Sequence, residues 1–165
     1  MKLLKVIKDK NLGKDFKTRE ASRGVLFDEN NLVPILFVSK YNYHKLPGGG
    51  IEKGESKIQA LIREIKEEVG STIEVGDEIG KVVEYRFEFN LKQISYCYIG
   101  KILSKGSQEL EDDEIDEGFE LNWVPLDEAI KLSENDKPEN YEGKFIQERD
   151  LAFLNEAKKL IQNKK

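Results

Sequence analysis

The chain has 165 residues, a net charge of −5, and charged residues at 36% of its length. That length sets the expectation of one domain, residues 1–165, with a single sizeable core. The negative balance argues against nonspecific nucleic-acid binding, no apolar run approaches a membrane span, and lysines break the Met1–Val6 start in a way that a signal peptide does not tolerate.

Lys2–Lys8 reads as a short leading strand. Ala21–Phe27 and Val33–Val38 read as strands around the turn Asp28-Glu29-Asn30-Asn31. Pro34 implies that the second of them starts there or lies at a sheet edge. Arg23, on the first, could meet a phosphate; a surface salt bridge is an equal reading. His44 is the single histidine, so neither a His-rich zinc site nor a Ser-His-Asp triad is convincing; it reads as a loop residue near Pro47. The run Pro47-Gly48-Gly49-Gly50 lets the backbone adopt conformations closed to other residues and approach a ligand closely. A backbone carbonyl here, Gly49 first, could join a metal shell.

A helix follows. Ser56 suits its N-cap, Gln59 completes a capping box, and Gly70 suits a left-handed C-terminal cap. Ile58, Leu61, Ile62, Ile65 and Val69 follow helical spacing and are expected as the buried stripe. Glu64, Glu67 and Glu68 stand at i, i+3 and i+4 and project together beside that stripe. Crowded carboxylates repel, at about 0.2–0.5 kcal/mol per exposed pair. A hard divalent cation removes the repulsion and uses the oxygens as ligands. A Glu-x-x-Glu-Glu triplet alone is most often a solvated face. Joined to the glycine loop, Glu55 and Arg63, it reads as a magnesium site for diphosphate chemistry. Arg63 can pair with Glu67 one turn on and with Glu55, which would orient a ligand carboxylate.

Gly80–Phe89 and Gln93–Ile102 read as a hairpin around Asn90-Leu91-Lys92. Tyr85, Phe87 and Phe89 would alternate on one strand face; a nucleobase could stack there, although core packing suits the stripe better. Cys97, the only cysteine, excludes an internal disulfide, suits a reducing cytoplasm, and is expected to be buried. Ser104–Gly118 reads as an acidic loop, Leu121–Val124 as a strand with Trp123 in the core, and Leu126–Leu132 as a helix opened by Pro125. Ser133–Gly143 reads as a second loop before a terminal helix, Phe145–Ile161. Strands interleaved with helices argue for a layered α/β domain.

The spacing of the glycine-helix segment can be written out: Gly49, five residues, Glu55, seven residues, then Arg63-Glu64-Ile65-Lys66-Glu67-Glu68-Val69-Gly70. It resembles the signature box of the Nudix hydrolases. One departure is Ser71, where that family usually has a bulky apolar residue; Ile73 is close enough to fill in. Trp123-Val124-Pro125-Leu126-Asp127-Glu128-Ala129 also resembles a late strand-to-helix element of the family.

The resemblance implies the Nudix fold, a mixed β-sheet sandwiched between α-helices. It implies hydrolysis of a diphosphate bond in a small-molecule nucleotide, with water attacking phosphorus. Glu64, Glu67 and Glu68 would be the metal-binding set for Mg2+, with Mn2+ as a substitute. The cation would neutralise phosphate oxygens and acidify a water. Candidates for the general base are Glu64 and an acid in the loop before Trp123: Glu117 first, then Glu114 and Glu120. Arg23, Gly48, Gly49 and Tyr85 are the candidates for substrate contact. The expected substrate is a nucleoside triphosphate of the house-cleaning type, such as 8-oxo-dGTP. ADP-ribose or another nucleotide sugar is the alternative, although the downstream proline common in such enzymes has only a distant counterpart, Pro138. A non-catalytic nucleotide sensor is a third reading, which the intact box disfavours. Many relatives pair, so a homodimer is compatible with the resemblance.

Overall fold

In the computed structural model, which describes residues 1–9 and 15–165, the strands fall into two sheets. Strands β1 (Leu3–Lys8), β2 (Lys17–Phe27), β5 (Gly48–Gly50), β6 (Ser71–Arg86) and β7 (Leu91–Lys105) form a five-stranded sheet in the order β1-β6-β7-β2-β5. β1 runs parallel to β6 and β2 parallel to β7, while β6/β7 and β2/β5 are antiparallel, so the sheet is mixed. Strands β3 (Leu32–Val38), β4 (Tyr43–Lys45) and β8 (Phe119–Pro125) form an antiparallel sheet in the order β4-β3-β8. The helices are α1 (Lys57–Val69), α2 (Asp112–Asp116), α3 (Leu126–Asn135) and α4 (Tyr141–Asn163).

Successive strand side chains point to opposite faces, and the core follows that rule. Val25 and Cys97 join an apolar cluster with Phe153, Leu154 and Ala157 of α4. Their neighbours Leu26, Tyr96 and Tyr98 join a second cluster with Leu61, Ile65 and Val69 of α1. The mixed sheet is therefore covered by α1 on one face and α4 on the other, as the resemblance implied. Cys97 is fully buried, and burial raises its thiol pKa. Among the described residues no helix is long and apolar enough to cross a membrane.

Several elements differ from the sequence reading. β2 and β3 flank a turn closed by Asp28, whose carboxylate accepts the Asn30 and Leu32 N–H groups, yet they belong to different sheets. Pro34 neither opens its strand nor lies on an edge strand: β3 begins at Leu32 and is the middle strand of its sheet. The proline fits because β4 pairs only with Leu36–Val38, so no neighbour on that side requires an N–H from residue 34. His44 is on a strand, with Nδ1 2.9 Å from Asp136 and its ring against Phe37. Phe87–Phe89 form a 3-10 turn, which ends the alternation that Tyr85 begins. The acidic loop carries the short helix α2, and α3 and α4 extend into the segment read as a loop between them.

Candidate active site

The helix carrying the acidic triplet is fixed at both ends by local chemistry. Ser56 Oγ accepts the Gln59 N–H at 3.1 Å and the Gln59 side chain accepts the Ser56 N–H at 2.9 Å. Gly70 is left-handed at φ 68°, and a Cβ there would sit 2.5 Å from the Ser107 carbonyl carbon, so the crossing backbone also requires glycine. The buried stripe is narrower than expected. Ala60, Leu61, Ile65 and Val69 are covered, but Ile58 and Ile62 are 45% and 44% exposed. These two sit one turn apart, and Ile58 fronts an open groove with Glu20, Ile51 and Tyr98. Ser71 is buried, and Ile73 joins the cluster beneath α1.

The glycine loop crosses this helix at close range. Glu68 is only 1% exposed, and its Oε2 accepts the Gly48 N–H at 2.8 Å. Lys45 Nζ stands 3.2 Å from Glu68 Oε1. A Cβ at Gly49 would fall 2.4 Å from Glu64 Cδ, so backbone and carboxylate are already in contact there. Arg63 ties these parts together. It donates to both Glu55 oxygens at 2.8 and 3.0 Å, to Glu64 at 2.7 Å, and to the Gly50 carbonyl at 2.9 Å.

Glu55 is held down to about 2, first by hydrogen bonds from Arg63 and next by the backbone N–H of Glu52. A carboxyl with a depressed pKa stabilises the fold above its unfolded pKa, and that contribution fades as the pH falls through the folded value. Wild-type protein should therefore lose stability between pH 4.5 and 2 more steeply than Glu55→Gln. Denaturant titrations across that range would check this; parallel pH profiles would refute it.

Behind the loop lies a cleft of about 210 Å³. Glu64, Glu68 and Glu114 each bring a carboxylate oxygen to it, all within 4.8 Å of one another. Burial, then Glu68, raises the Glu64 pKa, with Arg63 opposing; burial, chiefly, raises Glu114 to about 7. Three closely spaced hard oxygen donors, partly shielded from water, fit a hard divalent cation.

Of the residues singled out from sequence, Arg23, Gly48, Gly49, Glu64, Glu68, Glu114 and Glu117 line this cleft. Glu67 is not in the carboxylate trio; it is half-buried, with Oε2 3.6 Å from Arg63. Glu120 is exposed on β8 opposite Phe37. Tyr85 is outside the cleft and meets Phe16 edge-on at 5.5 Å between ring centroids. Trp123 is half-buried, with Lys105 placing its ammonium 3.8 Å from the ring centroid. Lys45, Glu142 and Arg149 line the cleft without having been anticipated. No local signal marks them: each looks like an ordinary surface charge on its own element.

A family model described as the NUDIX domain matches residues 17–146. An RNA pyrophosphohydrolase of Campylobacter jejuni subsp. doylei is 42% identical over 64 residues, covering 39% of this chain and 35% of that protein. An 8-oxo-(d)GTP phosphatase of Mycolicibacterium smegmatis is 33% identical over 98 residues, covering 59% of this chain and 28% of that protein. The matched stretches thus span about a third of those relatives' lengths. Among solved structures, the MutT protein of Methanosarcina mazei Go1 superposes with a TM-score of 0.61 at 20% identity, covering 93% of this chain and all (100%) of that one. An ADP-ribose pyrophosphatase of Streptococcus suis superposes with a TM-score of 0.54 at 18% identity, covering 84% and 91% of the two chains.

Proposed function

Because the chain belongs to the Nudix family, we propose that it hydrolyses the diphosphate bond of a nucleoside polyphosphate with a divalent cation, Mg2+ or Mn2+. The observation that carries this reading is the meeting of Glu64, Glu68 and Glu114 beneath the glycine loop. Those three would hold the cation, with Glu67 as a further acid beside Arg63. Bound there, it would supply charge neutralisation for the phosphate oxygens and Lewis acidity toward water.

The chain's own groups do the rest. Arg63 orients Glu64 through a 2.7 Å hydrogen bond while Glu55 holds Arg63. Water attacks a phosphorus of the bridge, a P–O bond to it forms, and the anhydride P–O bond breaks. The proton from that water passes to a cleft carboxylate, Glu64 or Glu117. Burial raises both of their pKa values, which moves them toward the range where a general base works at neutral pH.

A triphosphate of the 8-oxo-dGTP type is the first substrate choice, supported by the relative named for that activity. ADP-ribose is the second, supported by a structural neighbour named for it. The test is a panel of 8-oxo-dGTP, unmodified nucleoside triphosphates, ADP-ribose and a 5′-triphosphorylated RNA oligonucleotide. Products would be identified by chromatography with magnesium or with EDTA. Magnesium-dependent cleavage of one member is expected; absence of turnover on all of them would overturn the proposal.

Gly49→Ala gives a further check. The added carbon would push the Glu64 carboxylate aside, and a misplacement of about 1 Å at a reacting centre can cost about a hundredfold. We expect that loss in kcat with little change in stability, because the obstructing atoms belong to the end of a side chain. Unchanged kcat would show that Glu64 need not lie against the loop.

A further inference from the structure

Four arginines cluster around the cleft and beneath it, and their hydrogen bonding divides them. Every nitrogen of Arg86 has a partner: Nε and Nη2 donate to Glu84 at 3.2 and 2.8 Å, and Nη1 donates to Glu142 at 2.6 Å. It does not line the cleft. Arg19 reaches the cleft and donates to Gln93 at 2.9 Å. Arg23 and Arg149 also line the cleft, at 5% and 0% exposure, and both have donors to spare. Arg149 donates through Nε to Asp150 at 2.7 Å, but Nη1 and Nη2 have no hydrogen-bond partner. Its Nη1 is 3.6 Å from Glu84 Oε2, too far for a hydrogen bond. Arg23 Nη1 donates to the Gly48 carbonyl, and its Nε has no partner.

Buried guanidinium donors are expensive to leave unpaired, and native interiors rarely do so. Burial first, then the charge of Arg149, lowers the Arg23 pKa to about 10. Both guanidinium groups thus bring vacant donors to one cleft, with Asp150 and Glu84 beside Arg149 as its nearest acids. Gly48 joins Arg23 to the acidic trio: its N–H donates to Glu68 while its carbonyl accepts from Arg23. Arg23 is thus joined to the proposed cation site through a single residue, and Arg149 lines the same cleft.

We propose that Arg23 and Arg149 form an anion subsite for a phosphate group beyond the diphosphate engaged at Glu64, Glu68 and Glu114. The inference rests on the hydrolase reading for its substrate class and sharpens it. A nucleoside triphosphate supplies the extra phosphate; a nucleotide sugar, with one diphosphate between two sugars, does not. Planar guanidinium donors match phosphate oxygens in pairs, which a lysine does not reproduce.

The first test needs no turnover. Inorganic tripolyphosphate is titrated calorimetrically into the full chain in EDTA. Wild-type protein should bind it, Arg23→Met should weaken binding at least tenfold, and Arg23→Lys should restore part of the loss. Arg149→Lys should act in the same direction; if it does not fold, the Arg23 pair still decides. No binding to wild type, or equal affinity in Arg23→Met, would overturn the subsite. With magnesium, Arg23→Met should raise KM for a nucleoside triphosphate and lower its kcat/KM at least tenfold more than that for ADP-ribose. Equal losses on the two substrates would assign Arg23 to packing and also overturn it. A protein that cleaves no member of the substrate panel yet binds tripolyphosphate through Arg23 would sink the hydrolase reading and uphold the subsite.

Discussion

Glu68→Gln should lower kcat on the best nucleotide substrate by about a thousandfold, while the melting temperature falls by no more than about 4 °C. The catalytic expectation follows from what the carboxylate offers. Its two oxygens have separate partners: Oε2 accepts the Gly48 N–H, and Oε1 accepts from the Lys45 ammonium, while the carboxylate as a whole stands with those of Glu64 and Glu114. Glutamine keeps the shape and one acceptor, so the glycine loop stays docked. It removes one full negative charge from the proposed cation site. Cation stabilisation of transition-state charge is worth several kcal/mol, and about 4 kcal/mol corresponds to three powers of ten. The stability effect is small because the acidic cluster repels itself when no cation is bound, which offsets the lost pair with Lys45. Steady-state kinetics and a thermal melt on the same sample check both parts. Turnover within tenfold of wild type would remove Glu68 from the site.

Gly48→Ala should be the most destabilising single substitution in the loop, by about 3 kcal/mol or more. The residue has φ 133°, a conformation that side chains rarely adopt. A Cβ there would lie 2.1 Å from the Ser22 carbonyl oxygen and 2.8 Å from Arg23 Cα, both backbone atoms of the neighbouring strand β2. Neither can move without breaking the β2–β5 pairing, in which Arg23 stands opposite Gly48. The same shift would detach the Gly48 N–H from Glu68 and its carbonyl from Arg23. Stability and activity should therefore fall together, unlike Gly49→Ala, where activity alone is expected to suffer. Urea unfolding of the two variants separates these cases. Equal stability would mean that the strand pairing has room to spare.

The contrast between neighbouring glycines shows where sequence reasoning works and where it stops. The helix α1 was legible because its signals are local: Ser56 with Gln59 at one end, Gly70 at the other, and apolar residues at helical spacing between them. Its buried width was not, because Ile58 and Ile62 share the helical spacing but lack a neighbour to cover them. The Glu55–Arg63 pairing was anticipated within one contiguous motif. Glu114 reaches the trio from a helix some fifty residues downstream, and only the docking of that segment against α1 distinguishes it from Glu117 and Glu120. Arg149 is the extreme case. In the chain it is one charge in a charged terminal helix; in the fold it is fully buried beside Asp150 and Glu84. Tyr85 errs in the other direction: its alternation with Phe87 and Phe89 ends because the chain turns at residue 87.

The most direct measurement is a titration of Mn2+ into the protein, with the free ion followed by electron paramagnetic resonance. Wild-type protein should take up the ion and bind it more tightly when a nucleoside triphosphate is present. The double variant Glu64→Gln/Glu68→Gln should lose that uptake while keeping its melting transition. An ion bound equally well by the double variant, or no binding to wild type at any nucleotide concentration, would contradict a cation held among these carboxylates.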